Sequence, residues 1–464
     1  MNLEGQFDRN EKRRRIGNIS LLAAVFILTT AYFHFYSWYS LLAPYGTLTA
    51  AVFLIVTFFC YVDVSYALKD PAFYLMAFAD VLALINLFAI GSHKGAILTV
   101  ADFLLILYLA NKVVFTKKEM IVSALYTGFF FIYWTIDVKG YFKGYNTNYG
   151  GLVLISGFIF LIYAVEYFFH GGQQGNGADN AGGKGPTVNI SAYGNPAAGE
   201  PVKGGYVNDE PEKTTEPVPQ VPAKHDRMNS FIKLCMGTCK YQRLLRLSEV
   251  ILFYVAFRII AWYRSRCALV GLVVFLVLLL IPKGIWKNKV IYGILVFSGT
   301  AGSILFSAFY VWLGVMKEEL TLRLFYKDII SGREEIWAEL WEEYLKKPFT
   351  GIGSSYVMKL EWMEGLFEVH SGLLDILIVH GLVVFIIVCM FLVFRLFGIR
   401  EIIAQSYAAR SAMAGIFAML FTAFMENYII VAPFSLMFLC LFAYINHIGT
   451  EAKIPGSMKN TTGS

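Results

Sequence analysis

Charged side chains are scarce in this sequence. They make up 16% of its 464 residues, against about 25% in soluble domains, while hydrophobic residues reach 57%. That deficit excludes a chain built around one large soluble core. The ten-residue alternating strands of an outer-membrane barrel are missing too. Cysteine is sparse: of six residues, Cys60, Cys389 and Cys440 lie in apolar runs as small hydrophobes, Cys235 and Cys239 have three residues between them, and Cys267 stands alone. No second ligand pair at zinc-site spacing accompanies them, so no metal is expected. No small-residue cleavage site follows Arg13, Arg14 and Arg15, so the apolar run after them reads as a first membrane span with a start-transfer role.

What the chain does hold is a succession of apolar stretches of about 20 residues, each long enough to cross a bilayer core of about 30 Å. Backbone groups in lipid must be satisfied within the segment, so the stretches are helices. They fall at 17–37, 46–66, 71–91, 95–114, 120–138 and 149–169, then at 247–263, 267–282, 290–312, 373–396, 412–430 and 433–448. The expected fold class is therefore an all-α polytopic membrane protein with about 12 transmembrane helices. Lys and Arg accumulate in cytoplasmic loops. With the N-terminus inside, the inner segments hold the cations from Arg9 to Arg15, Lys112, Lys117, Lys118, Lys283, Lys287, Lys289, Arg395, Arg400 and Arg410. The turns around Ala43 and Gly91 are nearly free of charge, and twelve spans return the C-terminus, with Lys453 and Lys459, to the inside.

The expected organisation is a first membrane half over 1–170 with about six helices, a linker over 171–229, and membrane helices seven to nine over 230–313. An extracytoplasmic loop over 314–371, helices ten to twelve over 372–449 and a cytoplasmic tail over 450–464 complete it. The linker is rich in Gly, Pro, Asn and charge and has too little apolar surface to offset its ordering entropy, which predicts a disordered cytoplasmic tether. In the loop, Ser331 and Glu334 form a capping-box pattern that starts a helix at about Gly332. Glu334, Glu335 and Glu339 suit its first turns, Lys346 and Lys347 its last, and Pro348 stops it. Ile336, Trp337, Leu340, Trp341 and Tyr344 share one face, which should lie on, or pack against, the outer rim of the bundle.

Ionisable residues inside spans cost about 2.5–3.5 kcal/mol each on insertion scales, so Asp80, Asp102, Arg258 and Glu426 each call for a reason. Pairing between helices is one such reason. Arg264 and Arg266 stand at an outer helix end, and His370 precedes the tenth span beside Glu368, with Asp375 further on.

Several short motifs share that outer side. They are Ser265-Arg266, Gly332-Arg333 with Trp337, Pro348 with Gly351 and Gly353, His370 followed by Gly381-Leu382, and Asn146-Thr147-Asn148-Tyr149-Gly150 before the sixth span. Their order and the large loop between two spans resemble the bacterial O-antigen ligase and polysaccharide polymerase superfamily. Two positions depart from its pattern: Ser371 stands where Asn is frequent after the histidine, and Cys267 where Gly follows the Ser-Arg pair.

The resemblance implies a GT-C-like glycosyltransferase of the cytoplasmic membrane, whose termini the cation distribution already puts in the cytoplasm. It would work on the outer face without metal or other cofactor, moving glycan from a polyprenyl-diphosphate carrier to an acceptor. The partners implied are the polyprenyl-diphosphate-linked oligosaccharide, the growing glycan acceptor, the lipid bilayer and other membrane proteins of polysaccharide assembly; nucleic acid is not among them. His370, Arg333 and Arg266 would be catalytic. Asn146, Asn148, Ser265, Arg264, Trp337, Gly353, Glu368 and Asp375 would line the substrate. The chemistry suits these residue types. A diphosphate leaves as an anion and needs fixed positive charge, which the planar fork of Arg supplies. Histidine titrates nearest neutrality and could take the proton of an acceptor hydroxyl. No Asp-x-Asp pair flanked by Gly or Ser stands in a cytoplasmic loop, which argues against a sugar-nucleotide transferase. Joining of repeat units is the preferred reading, a ligase its neighbour, and a transporter the rival from another class.

Overall fold

The computed structural model describes residues 3–34, 39–136, 147–170, 240–316, 323–324, 327–328, 332–363 and 367–451. The expected linker over 171–229, Asn146, Ser331, Cys235, Cys239 and most of the C-terminal tail lie outside the described residues. The chain divides into one compact unit formed by Met1–Gly172 with Leu252–Ser464 and a second formed by Gln173–Ile251. In the second unit only the start of the helix Lys240–Trp262 is described.

Among its described residues the first unit is mainly helical, with one two-stranded ribbon, β1 (Arg323–Leu324) against β2 (Lys327–Asp328). Its helices are α1 (Leu3–His34), α2 (Tyr39–Tyr61), α3 (Val64–Ala67), α4 (Pro71–Ala89), α5 (Lys94–Leu109), α6 (Lys117–Ile136) and α7 (Thr147–His170). After α8 (Lys240–Trp262), which begins in the second unit, come α9 (Arg266–Leu280), α10 (Lys283–Lys287), α11 (Lys289–Thr300), α12 (Gly302–Val315) and α13 (Arg333–Lys346). The last are α14 (Gly372–Gly398), α15 (Arg400–Gln405), α16 (Tyr407–Thr422) and α17 (Phe434–Glu451).

Helices α16 and α17 are apolar on every face and almost wholly buried, so they form the centre of this unit. Around them α4, α9 and α11 turn Phe78, Val81, Phe88, Val273, Ile294 and Phe297 outward. Apolar side chains facing away from the packed interior are what a lipid solvent requires. Among the described residues, five helices are long and apolar enough to cross a membrane, and the bent pair α11 and α12 makes a sixth if counted as one span. Tyr45–Tyr61, Arg266–Leu280 and Phe434–Thr450 are shorter apolar helices. Several of the expected spans thus correspond, among the described residues, to shorter or bent helices. Hydropathy reports the transfer of a segment into lipid, whereas an apolar stretch buried among neighbours can leave the helix wherever they satisfy its backbone. The stretch 290–312, expected as one helix, bends by 60° between Thr300 and Gly302.

The break in α14 holds the loop in place. Gly381 has φ 84° and ψ 173°, so the helix opens there. The freed carbonyls of Ile378 and Val379 accept from the backbone N–H groups of Ile352 (2.8 Å) and Gly353 (3.2 Å), and the N–H of Leu382 donates to Pro348 O (2.8 Å). A loop after α13 therefore plugs the gap in a membrane helix with its own backbone, as buried polar groups demand. The approach is so close that a Cβ on Gly351 would stand 2.5 Å from Val379 O, and one on Gly381 would overlap Phe349 O. The same loop clasps the α4–α5 turn. Asn86 Nδ2 donates to Thr350 O (2.7 Å), His93 N to Ser354 Oγ (2.7 Å), and Ser354 N to Ser92 Oγ (3.2 Å).

Candidate functional site

Helix α13 starts at Arg333, one residue later than the capping-box reading places it. Gly332 at φ 88° is the N-cap and makes no side-chain cap bond. That shift moves Glu334 from the third helical position, where it could reach back to a cap, to the second. The expected apolar face forms: Ile336, Trp337, Leu340 and Tyr344 are buried, with Trp341 half-buried. It packs against α12. The Trp337 ring lies 5.2 Å from that of Tyr310 and 6.0 Å from that of Phe306, and Trp341 Nε1 donates to Ser307 Oγ (3.2 Å).

Trp337 also ties this helix to the segment entering α14, because its indole N–H donates to Val369 O (2.7 Å). Next along the chain, His370 takes φ 54°, a left-handed conformation uncommon outside glycine. The chain then docks on the turn after α16. Gly372 N donates to Ala423 O (2.8 Å) and Ser371 Oγ to the same carbonyl (3.2 Å).

That turn supplies Glu426. Its Oε1 accepts from Arg333 Nη2 in an ion pair whose side chains are each 9% exposed, and its Oε2 lies 3.8 Å from His370 Nδ1. Glu368 Oε1 is 3.3 Å from the same nitrogen on the more exposed side. Neither carboxylate is aligned as a hydrogen bond to Nδ1, so the two stand beside the imidazole without bonding it. Cys267 Sγ lies 4.0 Å from Glu426 Oε1, and Ser265 Oγ 3.3 Å from Cys267 Sγ. Ser265 is the buried N-cap of α9 and presses on the start of α7, where a Cβ on Gly151 would collide with its hydroxyl. The ends of α7, α9, α13, α14 and α16 thus meet around one carboxylate.

The sequence-predicted residues are brought together only in part. Arg333, His370, Glu368 and Trp337 gather directly, and Ser265 joins through Cys267. Arg266, half-buried, adjoins Cys267 as the first residue of α9, and Asp375, half-buried, sits one turn into α14 with its N–H on Ser371 O (2.8 Å). Asn148 is half-buried in the first turn of α7. Arg264 is exposed and closes α8 at φ 54°. Gly353 belongs instead to the clasp on the α4–α5 turn, 2.8 Å from Ser92 Oγ by the position of a Cβ.

Glu426 is the residue that sequence reasoning named as an in-span ionisable group but did not place in the site. The helix ends at Thr422, so Glu426 stands in a turn and not inside a span. A carboxylate late in an apolar run, in a chain whose loop helix opens on an arginine, was the signal that could have found it.

Residues 251–389 match the O-antigen ligase family. The matched segment runs from α8 into α14 and covers less than a third of the chain. It contains Ser265, Arg266, Arg333, Trp337, Glu368, His370 and Asp375, in agreement with the resemblance read from the motifs. Asn148 and Glu426 fall outside it. The match makes this segment similar to the O-antigen ligase family, and the apolar helices described above are those of a multi-pass membrane protein. No curated protein and no solved structure matches the chain.

Proposed function

We propose that this chain joins lipid-linked oligosaccharide repeats into a surface polysaccharide, moving glycan from a polyprenyl-diphosphate carrier on the outer face of the cytoplasmic membrane. The observation that carries the reading is the gathering of Arg333, Glu426 and His370 at the end of the bundle that bears the loop. In the step proposed, an acceptor hydroxyl oxygen forms a bond to the anomeric carbon of the carried sugar. The bond from that carbon to the carrier diphosphate breaks, and its electrons leave with the diphosphate. The hydroxyl proton passes to His370, and the leaving anion is met by Arg333 and Arg266.

Each neighbour then has a task. Carboxylates beside Nδ1 orient the imidazole and leave its other nitrogen for the acceptor. Glu426 holds Arg333 in one geometry, so its guanidinium needs no reorganisation when charge develops. Helix α13 lends its first-turn N–H groups to the same anion.

Deleting the gene and analysing lipid-linked intermediates tests the reading. Accumulation of single lipid-linked repeats is expected. Long lipid-linked chains would favour the second reading, transfer of a finished glycan to another acceptor, which the description of the matched family supports. Unchanged intermediates would sink both.

A further inference from the structure

The far end of the bundle holds a second polar cluster, made almost entirely of donors. Helix α14 leaves the Glu426 site at Gly372 and delivers Arg395 in its last turn, with Arg400 opening α15 just beyond. Helix α9 likewise runs from Ser265 to that end, where α10 carries Trp286 and α11 carries Tyr292. The short helix α10 packs on α15, and α11 on α14.

Tyr292 is the side chain that links Trp286, Arg395 and Arg400. The rings of Trp286 and Tyr292 are 6.3 Å apart. The Tyr292 hydroxyl donates to Leu396 O (2.7 Å), the residue after Arg395, and lies within electrostatic range of both Arg395 and Arg400. Trp286 is 2% exposed and Arg395 7%.

Their donors are not used up. Trp286 Nε1, Arg395 Nε and Arg400 Nη1 are buried and have no hydrogen-bond partner. Arg395 gives one Nη to Asn446 Oδ1 and stacks its guanidinium 5.1 Å from the Phe442 ring, both neutral groups. Among the described residues no carboxylate pairs with Arg395 or Arg400. By contrast, Arg410 nearby in sequence donates Nε to Ser406 O and lies over the Tyr407 ring. A buried guanidinium without a counter-charge is costly, and a buried donor without an acceptor adds to that cost. Donors alone, two of them cationic and one an indole N–H, call for an anion rich in acceptor oxygens.

We propose that Trp286, Arg395 and Arg400 form a binding site for a phosphate group, taken from a phospholipid headgroup in the leaflet at this end of the bundle. The outward apolar faces of α9 and α11, with Val277, Leu280, Val290 and Ile294 exposed, give the acyl chains a surface beside it. The site is independent of glycan transfer, since the length of α14 separates it from His370.

The test uses the purified full-length chain, delipidated in detergent, with phosphatidylglycerol or inorganic phosphate added. Retained lipid is read by native mass spectrometry and the thermal midpoint by fluorescence. Phosphatidylglycerol should raise the midpoint of the wild type. Trp286→Phe and Arg400→Gln should each weaken its apparent affinity roughly tenfold, about the loss of one charge-assisted hydrogen bond. Trp286→Phe removes only a donor that already lacks a partner, so without ligand this variant should be as stable as the wild type. A response to inorganic phosphate alone, with the same sensitivity to the variants, supports the site with a soluble occupant. Equal responses in wild type and variants, or no response to either probe, overturn it.

Discussion

Arg333 and Glu426 are joined by a buried ion pair across 93 positions of sequence, which ties the loop helix directly to the turn after α16. Breaking such a pair leaves one charge buried and alone. Glu426→Ala should therefore lower stability by about 3–5 kcal/mol, whereas replacing both partners with apolar side chains of similar volume should restore most of it. Arg333→Met combined with Glu426→Leu is the pair to compare with the single variants by unfolding in detergent. A double variant no more stable than Glu426→Ala would show that the pair is not the source of the cost. All three should lose transfer.

His370 offers a way to separate a backbone effect from a chemical one. Its left-handed φ costs a residue with a Cβ about 1–3 kcal/mol, and glycine escapes that cost. His370→Gly should thus be more stable than His370→Ala, while both lose roughly 10²–10⁴-fold in transfer, the usual contribution of a positioned acid–base group. Transfer rates tracking stability across the two variants, with His370→Gly near wild type, would remove the histidine from the chemistry.

Gly351 and Gly381 face each other across the break in α14, each with its Cβ direction filled by a carbonyl of the other's segment. Gly351→Ala or Gly381→Ala forces the two backbones apart and adds a positive-φ penalty of about 1 kcal/mol or more. The loop over 348–355 should then come free of the α4–α5 turn and become sensitive to protease, even where the membrane helices stay folded. Wild-type protease resistance in both variants would mean that the clasp on Asn86, Ser92 and His93 holds the loop without the break.

These same residues show how far the sequence could be read. The apolar face of α13 was legible, because Ile336, Trp337, Leu340 and Tyr344 repeat at helical spacing and that repeat is enough to choose the buried side. The opening of α14 at Gly381 was not, since a glycine inside an apolar run is equally compatible with an unbroken membrane helix. What decides it is the arrival of Ile352 and Gly353, more than 20 residues earlier in the chain, with donors for the freed carbonyls. The place of Glu426 was hidden for a similar reason. Hydropathy extended its span to about 430, while the helix ends at Thr422 because Gly372 and Ser371 take the carbonyl of Ala423. Composition thus identified the medium and the amphipathic faces. Contacts distant in sequence decided where helices stop, and the site is built at those stops.

Sidedness rests on the distribution of cations. Glu361 is exposed in the loop at one end of the bundle and Lys287 is exposed at the other. With a cysteine placed at either position in a background free of native cysteines, an impermeant reagent should label Glu361→Cys in intact cells and leave Lys287→Cys unlabelled. The reverse pattern would put the proposed transfer site in the cytoplasm and rule out an outer-face donor.

The arginines carry the sharpest test of the proposed chemistry. Arg333 is already paired with Glu426, and Arg266 adjoins Cys267, whose sulfur lies 4.0 Å from the same carboxylate. If both meet the carrier diphosphate, each must offer it two N–H groups at fixed spacing, and Arg333 must do so while another of its nitrogens stays on Glu426. Lysine cannot perform that division. Its ammonium is one compact centre that would either keep Glu426 or turn to the phosphate. Arg333→Lys should therefore retain stability, because the ion pair survives, and lose transfer. Arg266→Lys should lose transfer as well, although a cation that only reached for lipid headgroups would tolerate the change. The carrier's tail stays in the bilayer, so its diphosphate must arrive at headgroup depth, where a dehydrated anion without a two-pronged partner is unfavourable. Purified Arg266→Lys and Arg333→Lys proteins, assayed with a lipid-linked donor and compared in thermal stability with the wild type, separate geometry from charge. Near-normal transfer in both would show that a point charge suffices, and the diphosphate site would fall.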